Sequence, residues 1–225
     1  YELTIPSTKE KIKFRPFLVK EEKILLMAAE SQNPKEIVEA LRNVFATCMD
    51  SKKLDVSSLP TFDLEYIFLK LRSKSVGETV EATVVCEECG ATTPCSVDLS
   101  SVEIKYSDGH ESKIEFTKDI GVIMRYPNFE MSVQISSEEE SIEDVVTILA
   151  LCIDKIYDKD NIYSRNDYSD DEFEEFVLSM TQSEVNKMKM FFDTMPKMEH
   201  TVHLKCPKCE KESDIVLRNL NDFFT

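Results

Sequence analysis

Four cysteines in two matched settings are the residues of this chain whose type and spacing could do chemistry. Thr83-Val84-Val85-Cys86-Glu87-Glu88-Cys89 and Val202-His203-Leu204-Lys205-Cys206-Pro207-Lys208-Cys209 each follow an alternating run and precede another. Two cysteines two residues apart on a tight turn present both sulfurs to one metal, while backbone amides in the turn steady the negative sulfurs. Four thiolates satisfy Zn²⁺ in a closed tetrahedron that leaves no position for water or substrate. The chemistry expected of Cys86, Cys89, Cys206 and Cys209 is therefore a structural zinc site and not catalysis. Distance is the objection, because 116 residues lie between Cys89 and Cys206 where a compact ribbon has roughly 15–20. Closure entropy grows only logarithmically, so the longer span costs roughly 2 kcal/mol more. Apparent structural zinc affinity is about 10–16 kcal/mol, and the metal wins. The competing reading, in which each pair is ordinary core or a redox couple, treats the match between the two as accidental.

The remaining candidates read more simply. Cys95, His200 and His203 lie near the pairs and could compete as ligands, but four cysteines already satisfy the metal. Cys48 and Cys152 fall on apolar helix faces as small buried hydrophobes. Seven cysteines, an odd number with close pairs, suit a reducing compartment and metal ligation better than a disulfide framework. His110-Glu111 lacks the His-x-Glu spacing of a zinc deaminase, and no Pro-Cys begins a knuckle. Asp154, Asp158, Asp160, Asp167, Asp170 and Asp171 crowd one region without the glycine and ligand periodicity of an EF-hand, so a solvated acidic loop is expected. Met180, Met188, Met190, Met195 and Met198 read as core filling, some facing a partner.

The elements that must carry the knuckles can be traced in the pattern. Tyr1–Ile5 and Lys11–Phe14 alternate around Pro6-Ser7-Thr8 and predict an opening hairpin. Val19–Ala29 reads as a helix. Asn33-Pro34-Lys35-Glu36 starts a second that runs to about Met49, and Thr61–Arg72 gives a third. The period changes to two from Thr79 into the first knuckle and resumes over Ser96–Leu99. Val102–Tyr106 and Lys113–Phe116 flank an Asp108-Gly109 turn and predict a second hairpin, with further strands at Val122–Tyr126 and Phe129–Ile135. Capping boxes at Ser137 with Glu140, Ser169 with Glu172 and Thr181 with Glu184 predict helices near 138–156, 170–179 and 182–194. Strands at Thr201–Leu204 and Asp214–Leu217 enclose the second knuckle. The expected class is α+β: helical clusters with β-hairpins and a split zinc ribbon carrying a large insertion. Residues 1–78 form the hairpin and helical cluster, 79–99 and 200–218 the two halves of the ribbon, and 100–199 the inserted α+β region.

Composition excludes several functions. The 225 residues carry 27 basic and 43 acidic side chains, a formal charge of −16, and such a surface repels phosphate, so no nucleic-acid partner is expected. Four glycines, none clustered, cannot build a dinucleotide fingerprint or a phosphate loop. The longest apolar runs fall short of the roughly 20 residues of a membrane span. Tyr1–Pro6 shows neither the basic region nor the apolar segment of a secretory signal, so an intracellular protein is expected.

The run Lys13-Phe14-Arg15-Pro16-Phe17-Leu18-Val19-Lys20-Glu21-Glu22-Lys23-Ile24-Leu25-Leu26-Met27-Ala28, followed by helices and two distant Cys-x-x-Cys pairs, resembles the small baseplate hub proteins of contractile-tailed, T-even-type bacteriophages. The resemblance covers most of the chain. It implies a non-enzymatic structural or assembly protein of the baseplate hub, with other hub or tail proteins as partners and no catalytic residues. The implied location is the host cytoplasm during assembly and, for a retained component, the virion tail baseplate. Two other classes stand beside it: a zinc-ribbon regulator binding transcription or replication machinery, and a hydrolase without a recognisable motif.

Overall fold

The computed structural model describes residues 1–31, 33–50, 56–86, 88–134 and 141–218. Helices and small antiparallel sheets alternate in an α+β fold. β1 (Glu2–Thr4) and β2 (Lys11–Lys13) form the opening hairpin with Leu3 opposite Ile12, and alternation buries both while their lysine and glutamate neighbours stay exposed. α1 (Val19–Ser31) follows, then α2 (Pro34–Cys48), where Asn33 caps the Lys35 amide and a proline occupies the first turn. α3 (Thr61–Ser75) buries Phe62, Leu64, Ile67, Leu69 and Leu71, too wide a spread for a surface helix with one apolar stripe.

Next come the hairpin β3 (Thr79–Val85) and β4 (Thr92–Asp98), β5 (Glu103–Lys105), β6 (Lys113–Glu115) and β7 (Gly121–Met124). α4 (Phe129–Gln134), α5 (Ile142–Leu151), β8 (Ile153–Tyr157), β9 (Ile162–Ser164) and a 3₁₀ turn (Arg165–Asp167) precede α6 (Asp170–Leu178) and α7 (Gln182–Thr194). β10 (Lys197–Lys205) and β11 (Glu212–Leu217) close the described chain.

These elements divide into two compact units. The first takes Tyr1–Val56, Phe62–Lys105 and Pro196–Thr225, and the second takes Ser57–Thr61 and Tyr106–Met195. In the first unit one core gathers Leu69 of α3, Ala82 of β3, Cys95 and Val97 of β4, and Met198 and Leu217 of β10 and β11. Both knuckle hairpins therefore share one apolar cluster, and β10 also pairs with β5 through Met198 opposite Ile104. The second unit packs α5, α6 and α7 with the sheet β6-β7-β8-β9 around Val122, Leu149, Ile153, Phe173, Met188 and Phe191.

Three local expectations are corrected. The Asp108-Gly109 turn exists, with Gly109 at φ +77°, yet its flanking strands do not pair with each other: β5 pairs with β10 and β6 with β7. Three-residue strands carry little register information, and each of the two pairs with a longer strand, β5 with the distant β10 and β6 with the next in sequence, β7. Phe129–Gln134 is a helix, because Asn128 accepts the Met131 amide at 2.9 Å and nucleates a turn where alternation suggested a strand. The last residue of that expected strand, Ile135, lies outside the described residues. Ile153–Tyr157 is strand, not the end of a helix, since pairing with β7 outweighs helical spacing. The capping box at Ser137 and Glu140 lies outside the described residues; α5 has a box of Ser141 with Asp144. The boxes at Ser169 with Glu172 and Thr181 with Glu184 are present and start α6 and α7.

Candidate metal centre

The two knuckles are built alike at the level of single backbone bonds. In the first, the Cys86 amide donates to the Ala91 carbonyl at 2.9 Å and the Gly90 amide donates to the Cys86 carbonyl at 2.8 Å. In the second, the Cys206 amide donates to Lys211 at 2.9 Å and the Glu210 amide to Cys206 at 2.9 Å. Each turn closes with a left-handed residue, Gly90 at φ +66° and Glu210 at φ +59°. Glycine adopts that conformation freely, whereas Glu210 holds it against a Cβ clash. Aligned on their cysteines, the knuckles set Glu210 against Gly90.

The turns bring four sulfurs together. Sγ of Cys86 lies 3.7 Å from Sγ of Cys209, and Sγ of Cys89 lies 3.6 Å from Sγ of Cys206. All four sulfurs fall within 4.8 Å of one another. A tetrahedron with Zn–S bonds of about 2.3 Å has edges of about 3.8 Å, so this cluster has the right size and donor set for one ion. All seven cysteines are free thiols. Glu88 and Lys211 form an ion pair from one knuckle to the other.

Backbone dipoles favour thiolate in the cluster, while sulfur crowding opposes it. Amides of Cys209 and Lys208 donate towards Cys206 and hold its thiol down to about 6. Amides of Cys89 and Glu88 lower Cys86 in the same way. At Cys209 the Lys211 amide pulls downwards, but desolvation and the sulfurs of Cys206, Cys89 and Cys86 outweigh it and push the thiol up to about 11. Four thiolates held this close repel one another, and a divalent cation would remove that conflict. When bound, such an ion acts as a cross-link; Cys86, Cys89, Cys206 and Cys209 would hold it.

The other residues singled out lie elsewhere. Cys95 is buried in the core below the hairpins, opposite Ala82, and its thiol is pushed up by burial. His203 turns its exposed ring to Asp214, with Nδ1 2.5 Å from Oδ1. His200 sits near Asp98 and helps lower its carboxyl, after the Ser100 hydroxyl and amide. Cys48 and Cys152 are buried, and desolvation pushes the Cys152 thiol up to about 12. His110 is structural: Nδ1 lies 2.9 Å from the Thr194 hydroxyl and Nε2 3.0 Å from that of Tyr126. Asp158 caps the β8–β9 turn, accepting from the amides of Asp160 and Asn161 at 2.8 Å each. Met188 and Met198 fill cores, while Met190 is exposed. No helix among the described residues is long and apolar enough to cross a membrane. The Glu88–Lys211 pair carried no sequence signal, because single exposed charges, unlike the matched cysteine pairs, do not mark one another as partners.

Comparison with known proteins places the chain. It is 24% identical over 213 residues to the baseplate hub assembly protein gp26 of Enterobacteria phage T4, an alignment covering 95% of this chain and 92% of that protein. No solved structure matches. The family described as T4 bacteriophage base plate protein matches residues 1–225, the full length of the sequence. A match of that extent leaves neither unit outside it, and the chain belongs to the T4 bacteriophage base plate protein family.

Proposed function

We propose that this chain is a non-enzymatic structural or assembly protein of the phage tail baseplate hub, working by contacts with other hub or tail proteins in the host cytoplasm. The family match over the whole chain carries the reading, and similarity to a hub assembly protein supports the hub as the place. The regulatory alternative has no comparable support.

Cys86, Cys89, Cys206 and Cys209 bind one structural Zn²⁺ in this reading. The ion joins residues 79–99 and 200–218 as two halves of one ribbon and pins the ends of the region inserted between them. The matched turns and the sulfur spacing support it. Function then lies in surfaces, and α1 with the residue before it offers one: Leu18, Val19, Leu26 and Met27 are each more than half exposed beside Lys20 and Lys23, apolar exposure of the kind that marks an interface.

The test is a phage lacking this gene. Incomplete baseplates with continuing DNA replication and head assembly are expected, with tails restored when the protein is supplied. Normal tails, or arrested DNA synthesis, would overturn the assignment. Immunoblots of purified particles report whether the protein stays in the virion.

A further inference from the structure

We propose that an apolar groove in the second unit, bounded by β8, β9 and α6, binds a segment of another baseplate protein in which bulky apolar side chains are flanked by lysine or arginine. For the existence of that partner the proposal rests on the assembly reading above. The groove has a volume of about 330 Å³ and is lined by Ile156, Tyr163, Tyr168, Glu172, Phe173 and Phe176. Four aromatic rings and one isoleucine make up its apolar walls. Tyr168 remains 42% exposed at its edge, packed edge-on to Tyr163 at 6.0 Å between ring centres. An apolar side chain seated there displaces water that the walls hydrogen-bond poorly.

The surrounding charge selects the occupant. From Ile153 to Ser179 the chain carries nine carboxylates and three basic residues, leaving six of the protein's net sixteen negative charges in that stretch. Arg165 is already engaged: it donates to the carbonyls of Ala150 and Ile153, pairs with Asp170 and lies over the Phe173 ring. Lys155 sits 3.9 Å from Asp154. Glu172, in the groove wall, is kept ionised by the amide and hydroxyl of Ser169. A cation arriving beside an apolar anchor therefore meets uncompensated carboxylates, which steer it and fix its register. The same field repels nucleic acid, an anionic membrane and a second copy of this acidic chain.

The experiment uses the full chain supplied to the deletion phage during infection, with the photo-crosslinking residue p-benzoylphenylalanine at position 168, and mass spectrometry of the crosslinked peptides. The expected product joins this chain to a net-positive, apolar-containing segment of another baseplate protein. Its yield should be at least tenfold above that from the same residue at position 106, where Tyr106 is also exposed. The double substitution Asp171→Lys with Glu175→Lys, on exposed positions of α6, should cut the yield at 168 about tenfold while the melting temperature stays near that of the parent. Crosslinks to a second copy, to lipid or to an acidic segment overturn the proposal. So does a yield no greater than at 106 or unchanged by the double substitution. Normal baseplates in the deletion strain overturn the assembly reading instead, a result read independently of the crosslinks.

Discussion

Replacing Cys206 with serine removes one corner of the sulfur cluster, and the cost can be worked from the topology. An ion joining Cys89 to Cys206 closes a loop of 116 intervening residues. In the chain-entropy account a cross-link closing a loop of that order stabilises the fold by about 4–5 kcal/mol. For a chain of this size each kcal/mol shifts the melting temperature by about 2–4 °C, so losing the ion should lower it by about 10–20 °C. The shared core of Leu69, Ala82, Val97, Met198 and Leu217, and the Glu88–Lys211 ion pair, still join the hairpins without metal, so the variant should remain folded at low temperature. Elemental analysis should find about one zinc per parent chain, the stoichiometry of a single four-cysteine site, and markedly less in Cys206→Ser. Cys95→Ala is the control: it trims the buried core and should leave zinc content intact. Thermal unfolding with and without chelator then separates metal loss from core damage. Protons compete for the sulfurs, so zinc affinity should fall as pH drops, first at Cys209, whose thiol is pushed up to about 11, and more steeply below about 6, where the Cys206 thiol protonates as well. Parent protein without zinc, or with a melting temperature indifferent to chelation, would refute the cross-link.

Other expectations follow from single residues. Asp63 is fully buried and accepts only from the amide and hydroxyl of Ser7 among its described hydrogen bonds, and desolvation raises its pKa. A raised carboxyl stabilises the fold when protonated and loses that contribution as pH rises through the folded-state value; Asp63→Asn should flatten this part of the pH–stability curve measured by urea unfolding. Gly121→Ala would drive a Cβ into the Ile114 carbonyl oxygen and the Tyr157 ring, so a loss of about 1–3 kcal/mol is expected from overpacking, read by chemical denaturation. Lys20→Glu with Lys23→Glu changes exposed charges on α1 and should alter association with tail proteins while the circular dichroism melt stays unchanged; unaltered assembly removes this surface as an interface.

What the amino-acid sequence determined by itself is what depends on neighbours a few residues away. The Asn33 cap, the boxes at Ser169 and Thr181, and the two Cys-x-x-Cys turns were legible because each is closed by hydrogen bonds, side chain to backbone in the caps and backbone to backbone in the turns, within five positions. The opening hairpin was legible for the same reason. Pairing over distance was not. The Asp108-Gly109 turn gave no means of knowing that β5 would choose β10, because strands of three residues offer little to match, and the choice is made by the faces available after collapse. Alternation misled at Phe129–Gln134, where one asparagine cap outweighed it. The meeting of Cys86 with Cys209 and Cys89 with Cys206 was inferred from matched motifs. Its geometry came from elsewhere: Ala82 and Val97 on one hairpin and Met198 and Leu217 on the other enter a single apolar core with Leu69. Burial of surface is non-directional and knows nothing of sequence separation, so only the tertiary structure could decide which edges of the two hairpins come together, and hence where the sulfurs lie.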